Sequence, residues 1–83
     1  MKTMYLIKGE YTKTGKIFYL GKGGYVVDYE GGYCFYMDCY ETERAAKMTA
    51  TKYNKRNEFD VKHNSKYISE THYSAFPVEF GTV

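Results

Sequence analysis

The chain has 83 residues, enough for one small domain and too few for a second independent core. Hydrophobic residues make up 43% and aromatic residues 19%, with 11 Tyr and 5 Phe, which is the composition of a folded protein and excludes a disordered tail. The formal net charge of +2 is too small to indicate a nucleic-acid-binding protein by itself and too mixed for an acidic mimic of DNA.

The N-terminal segment and the apolar runs argue against export and against membrane insertion. The run before Lys8 is far shorter than the roughly 7 to 15 apolar residues of a signal peptide. The longest runs, such as 33–37, fall equally short of the roughly 20 residues of a membrane-spanning helix. We therefore expect a cytoplasmic protein in which Cys34 and Cys39 stay free thiols that point apart.

The first half of the chain has the composition of strands and turns. Strand-forming residues over 4–11 and 17–20 enclose a turn-rich segment, which predicts a β-hairpin. Glycine-rich turns then separate two further predicted strands, at 25–29 and 33–37. These segments predict an antiparallel meander with aromatic residues on both faces.

One helix is predicted, over about 42–55. Thr42 is a suitable N-cap, the acid at Glu43 suits the first turn, and basic residues lie at the far end. Small and aromatic residues recur with helical spacing and would let this helix lie close against a sheet: Ala46, Thr49, Ala50 and Tyr53.

The C-terminal third returns to strand-like patterns. Alternation over 59–62 predicts a strand after the helix, and 66–73 has the composition of another. Pro77 is compatible only with an edge strand or with a tail packed on the surface over 74–83. The sequence thus predicts a single α+β domain over 1–83, an antiparallel β-sheet of about four to six strands with one α-helix packed on one face.

The layout of the chain over 4–62 is carried by segments 5–8 and 17–20, Phe35, the helix start 41–47 and segment 59–62. It resembles that of small accessory proteins of bacteriophages and mobile elements. Some of these are anti-CRISPR proteins, including a family that inhibits the type I-F surveillance complex, in which a curled antiparallel sheet wraps one helix and a basic surface meets the effector complex. The resemblance implies an inhibitor acting in the host bacterial cytoplasm, and it transfers no site residue because no recognition motif matches.

Positive charge is concentrated in one part of the chain. Residues 44–66 carry a net charge of +5, whereas 1–43 carry −1 and 67–83 carry −2. Tyrosines interleave with these cations, a combination that suits either a protein interface or the stacking of nucleic-acid bases, although tyrosine packing and a solvated helix face would look the same. The candidate binding residues are Arg44, Lys47, Lys52, Tyr53, Lys55, Arg56, Lys62, Lys66 and Tyr67.

Other kinds of site find little support. The glycines at 21–24 contain a lysine but link two predicted strands, whereas a phosphate-binding loop opens a helix. The spacing of Cys34, Cys39, His63 and His72 matches no zinc pattern. No signature pairs a nucleophile with a base, so we expect no enzyme, no cofactor and no metal.

The sequence favours a non-enzymatic interaction protein of the phage type. It would bind and inhibit a bacterial defence protein or nucleoprotein complex, a CRISPR effector by the resemblance, by blocking its binding of nucleic acid. The alternative is a small nucleic-acid-binding module that contacts DNA or RNA through the same Lys/Arg and Tyr surface. A third interpretation is self-association through a sheet edge, so that the chain would be a monomer or a homodimer; no membrane contact is expected.

Overall fold

The computed structural model describes residues 2–29, 34–64 and 66–80. The four strands form one antiparallel sheet in the order β3-β2-β1-β4, and the helix packs on one face, mainly against β4 and β1. The expected α+β class is confirmed, with the strand number at the low end of the predicted range. The elements in chain order are β1 (Lys2–Tyr11), β2 (Ile17–Leu20), β3 (Val26–Val27), a 3₁₀ turn (Tyr36–Asp38), α1 (Glu43–Asn64) and β4 (Thr71–Phe80).

The predicted hairpin is confirmed by β1 and β2. The N–H of Tyr11 donates to the Lys16 carbonyl at 3.0 Å, and the N–H of Gly15 donates back to the Tyr11 carbonyl at 2.8 Å. Gly15 has a φ of +73°, in the left-handed region that favours glycine. Across the pair, Gly9 lies opposite Phe18, whose ring covers the space that a side chain at Gly9 would need.

The helix packs closely on the sheet because its inner side is built from small residues. The Thr42 hydroxyl accepts the N–H of Ala45 at 3.2 Å, so the predicted cap begins the helix. Ala46 and Ala50 are buried in a core cluster with Ile7 and Leu20. The small-residue stripe predicted from the sequence therefore forms the contact between helix and sheet.

The opposite face of the sheet carries a second core cluster, as expected for strands with apolar residues on both sides. Met4 and Leu6 are fully buried there. The rings of Tyr19, Tyr29 and Phe76 pack against this cluster, with centroids 5.1 to 5.5 Å apart. Such tilted and edge-on contacts suit the charge distribution of aromatic rings.

The helix extends nine residues beyond its predicted end and includes the segment 59–62, so the strand predicted there is wrong. Alternation over four residues is weak evidence for a strand. The absence of Gly and Pro between Glu43 and Asn64 instead allows the helix to continue. The helix ends where the Asn64 carbonyl accepts the N–H groups of Tyr67 and Ile68, at 2.9 and 3.1 Å.

The third and fourth predicted strands are also corrected. Only Val26 and Val27 of the predicted 25–29 form a strand, and 36–38 form a 3₁₀ turn where a strand was predicted over 33–37, whose first residue lies outside the described ranges. Asp38 accounts for the turn, because its carboxylate accepts the N–H of Phe35 at 3.3 Å and the hydroxyl of Tyr25. Local hydrogen bonds of this kind compete with strand pairing.

The C-terminal segment forms the longest pairing in the sheet. β4 pairs with β1 along its full length, from Lys2 opposite Phe80 to Tyr11 opposite Thr71. Of the two alternatives predicted for Pro77, the edge strand is observed, because β4 lies at the edge of the sheet and includes 74–80; residues 81–83 lie outside the described residues. The predicted strand over 66–73 is confirmed only from Thr71 onward.

Two asparagines of the helix bind the outer edge of β4. The Asn54 amide donates to the Tyr73 carbonyl at 2.9 Å and accepts the Tyr73 N–H at 2.7 Å. Asn57 likewise accepts the Thr71 N–H at 2.9 Å and donates to the Ser69 carbonyl at 3.1 Å. Pro77, further along the same strand, has no backbone N–H. Several of the backbone groups that self-association through β4 would need are therefore already hydrogen-bonded to the helix, and one donor is missing.

Candidate functional site

The six predicted cations of the helix all lie exposed along α1. Because the chain is helical from 43 to 64, all six side chains belong to one helix. The part of the helix that carries them, 44–62, is about 27 Å long. The residues concerned are Arg44, Lys47, Lys52, Lys55, Arg56 and Lys62.

Tyr53 does not belong to this surface. Its ring packs under the helix, 5.3 Å from the ring of Tyr73, in the core cluster that contains Ala50. Burial raises the pKa of the Tyr53 hydroxyl, which is consistent with this position. Tyr53 therefore lies on the inner side of the helix, as its spacing with Ala46 and Ala50 predicted, and apart from the exposed cations.

Two of the six cations already have acidic partners. Lys47 pairs with Glu43 at 2.8 Å, and a hydrogen bond to that carboxylate raises the pKa of Lys47. Arg56 lies 3.9 Å from Asp60. Both pairs join residues one helical turn apart at the surface, where solvent screens the attraction and ion pairs contribute little to stability. They lower the positive charge that these two residues present to a partner.

The remaining cations share a side of the helix with two exposed apolar residues. We call this set the outer stripe; its successive spacings of four, four, three, four and three residues place it within about 80° of arc. None of its cations forms an ion pair within the described part of the chain. The outer stripe consists of Arg44, Met48, Lys52, Lys55, Phe59 and Lys62.

Met48 and Phe59 are the functional candidates that the sequence analysis missed. They are 55% and 61% exposed, and the Phe59 ring stacks on His63 with centroids 4.0 Å apart. The His63 ring nitrogen lies 2.8 Å from the Phe59 carbonyl, which holds the imidazole in place. Their shared spacing with Lys52 and Lys55 was visible in the sequence, but only a helix that extends to residue 64 puts Phe59 on this side.

Lys66 and Tyr67 lie apart from the outer stripe, on the connection from α1 to β4. Tyr67 is 80% exposed, and the Lys66 ammonium lies 5.9 Å from its ring centroid. Both residues line a cleft of about 580 Å³ together with Lys13 and Lys16 of the hairpin turn. The nine predicted residues therefore lie in three places: six cations are exposed on α1, Tyr53 packs under the helix, and Lys66 and Tyr67 line the cleft.

A third exposed patch surrounds the 3₁₀ turn. Phe35, Tyr36 and Met37 are exposed there, close to the exposed Tyr25, and the Lys2 ammonium donates to the Tyr36 hydroxyl at 2.6 Å. The sequence analysis assigned this segment to a strand and did not identify it as a surface.

The two cysteines are free thiols, as expected. They do not point apart, because Cys34 packs against the core cluster that contains Cys39. Burial, followed by the neighbouring Cys34, raises the pKa of the Cys39 thiol to about 12. Cys39 is therefore a protonated core residue, and among the described residues no three His, Cys, Asp or Glu side chains form a group that could hold a metal ion.

Comparisons with known proteins add no relative. No family model matches the chain, and neither the curated proteins nor the solved structures contain a match. Within the described ranges, no helix has both the length and the apolar character needed to cross a bilayer.

Proposed function

We propose that the protein is a non-enzymatic binding protein that docks through the outer stripe of α1. The observation that carries this proposal is the exposure of Met48 and Phe59 among four cations that have no ion-pair partner in the described chain. Interfaces commonly place apolar anchors of this kind among charged residues, and the spacing of Met48 and Phe59 puts both on the side of the helix that carries the four cations.

The chemistry of the stripe defines the kind of partner. Met48 and Phe59 are 11 residues apart in one helix, so their side chains are separated by about 16 Å along its axis. A matching surface has two apolar pockets at that distance, with carboxylates opposite Arg44, Lys52, Lys55 and Lys62. An acidic, apolar groove of this kind accepts one face of a helix.

The resemblance in layout makes a bacterial defence complex the first partner to test. By this proposal the protein covers a site on a CRISPR effector and thereby blocks its binding of nucleic acid. The type I-F surveillance complex is the first candidate, because the resemblance is to inhibitors of that complex.

The test is binding of the full chain to purified effector complexes, measured with and without nuclease. We expect the double variant M48S/F59S to weaken binding at least about 30-fold, which is the effect of losing a typical interface anchor. The triple reversal K52E/K55E/K62E should weaken it further. The matched control is K13E/K16E/K22E, which makes the same charge change at exposed lysines outside α1 and should retain binding.

Unchanged binding by M48S/F59S or by K52E/K55E/K62E would overturn the role of the outer stripe. Failure of the wild-type protein to bind any effector complex would overturn the assignment of the partner.

The second candidate is direct binding of nucleic acid by the same four unpaired cations. If they contact phosphates, a plot of log affinity against log salt should have a slope of about −2.8 to −3.6, from −0.7 to −0.9 per phosphate. A weaker dependence on salt, together with loss of binding in M48S/F59S, favours the protein partner.

A further inference from the structure

The cleft beside Tyr67 is built by contacts between distant parts of the chain. It lies between the hairpin turn and the connection from α1 to β4, and its volume is about 580 Å³. The Thr12 N–H donates to the Glu70 carbonyl at 3.1 Å, which ties the turn to the connection. The N–H groups of Tyr67 and Ile68 bind the Asn64 carbonyl and fix the connection to the helix end. Both walls are therefore held by backbone hydrogen bonds.

The cleft is positively charged. The ammonium groups of Lys13, Lys16 and Lys66 line it, and none of them has an ion pair within the described ranges. Glu70 is the one carboxylate among the described lining residues. Three unpaired lysines around a small concave site favour an anion, and a phosphate group is the anion that such lysines commonly bind.

The cleft also offers aromatic and apolar surface. Tyr67 is 80% exposed, and the Lys66 ammonium lies over its ring, 5.9 Å from the ring centroid. Tyr11 lines the cleft with its ring held against Phe18, at a centroid distance of 5.2 Å. Val61 and Ile68 contribute apolar side chains. Inorganic phosphate has no ring that could stack on these side chains, whereas a planar nucleobase can stack on them.

We propose that this cleft binds a nucleoside 5′-phosphate, either free or at the end of a single strand. The phosphate is bound by Lys13, Lys16 and Lys66, and the base stacks on Tyr67. The cleft volume is within the range of about 300 to 1,000 Å³ that is usual for small-ligand sites. The proposal is independent of the outer stripe, because the two sites share no residue.

The test is a titration of the full chain with five probes, followed by calorimetry or by chemical shifts. The probes are adenosine 5′-monophosphate, adenosine, inorganic phosphate, and a short oligodeoxyadenylate with and without a 5′-phosphate. We expect adenosine 5′-monophosphate to bind with a Kd below about 1 mM, and adenosine and inorganic phosphate to bind at least about tenfold more weakly.

Variants of the cleft then separate charge from stacking. K13A/K66A should weaken binding of adenosine 5′-monophosphate at least about tenfold, and Y67A at least about fivefold. Y67F keeps the ring and should bind as the wild type does. The matched control K2A/K22A removes two exposed lysines outside both the cleft and the outer stripe and should change the affinity less than about twofold.

The outcomes decide both the site and the source of the ligand. Tighter binding of the 5′-phosphorylated oligonucleotide than of the free nucleotide supports a strand end, and equal binding supports a free nucleotide. Equal affinity for inorganic phosphate and adenosine 5′-monophosphate would overturn the proposal, as would unchanged binding in Y67A or in K13A/K66A.

Discussion

Asn54 is the residue that joins the helix to the outer edge of β4, and its replacement by Ala tests this contact. The change removes two half-buried hydrogen bonds, to the N–H and the carbonyl of Tyr73. Each contributes about 0.5 to 1.5 kcal/mol to the free energy of unfolding, and the higher helix propensity of Ala returns up to about 0.7 kcal/mol. We therefore expect N54A to lower the free energy of unfolding by about 1 to 2 kcal/mol.

The assay is urea unfolding followed by circular dichroism, with a thermal melt as a second measurement. For a domain of this size the Tm should fall by about 4 to 8 °C for each kcal/mol lost. N64A is the matched control, because Asn64 lies exposed at the end of the same helix and receives hydrogen bonds through its backbone carbonyl. We expect its effect to be smaller than about 0.5 kcal/mol.

The double variant N54A/N57A extends the test to the edge itself. Loss of both asparagines leaves backbone groups of β4 unpaired, so we expect concentration-dependent association measured by light scattering. Equal stability of N54A and N64A, with N54A/N57A still monomeric, would refute the reasoning that these side chains hold and protect the edge.

Three further predictions concern the hairpin, the helix cap and the thiols. G9A should lower the free energy of unfolding by about 1 to 3 kcal/mol, because its Cβ would come within 2.7 Å of Phe18 Cε1; G9A/F18L, with the ring removed, should be more stable than G9A in the same urea titration. T42A should lower the free energy of unfolding by about 0.5 to 2 kcal/mol, because it removes the cap of α1. T42S keeps a hydroxyl at this position and should lose much less stability. The buried Cys39 thiol stays protonated as the pH rises from about 9 to about 12 while the unfolded thiol ionises, so stability should fall over this range, and C39A should show a smaller decline. A thiol reagent at pH 8 should correspondingly modify Cys34 before Cys39, and equal rates would contradict the burial of Cys39.

The features predicted well from the sequence are those that depend on neighbouring residues. The hairpin of β1 and β2 is specified by strand formers on either side of a turn that needs Gly15 in the left-handed region. The start of the helix is specified by Thr42, and its inner side by Ala46 and Ala50. Each of these signals acts over a few residues, so no knowledge of the rest of the fold is needed.

The errors occur where a short pattern suits two structures. Alternation over 59–62 is compatible with a strand or with the last turns of a helix, and the contacts of Asn54 and Asn57 with β4 favour the helix that includes both. The segment 33–37 is apolar enough for a strand, but Asp38 forms a local turn instead. The first choice depends on hydrogen bonds to β4, which is distant in the sequence, and the second on a side-chain hydrogen bond to the backbone three residues away.

The sequence by itself determined the α+β class, the paired strands β1 and β2, the inner side of the helix and the concentration of positive charge after residue 43. The tertiary structure decided how that charge is distributed. It packed the half-buried Tyr53 against the core, placed Phe59 on the outer stripe, and brought Lys66 and Tyr67 to Lys13, about 50 residues earlier in the chain. The physical reason is that helical spacing and turn chemistry are local, whereas the pairing of β4 with β1 along ten residues is a long-range contact whose register is set by burial on both faces of the sheet.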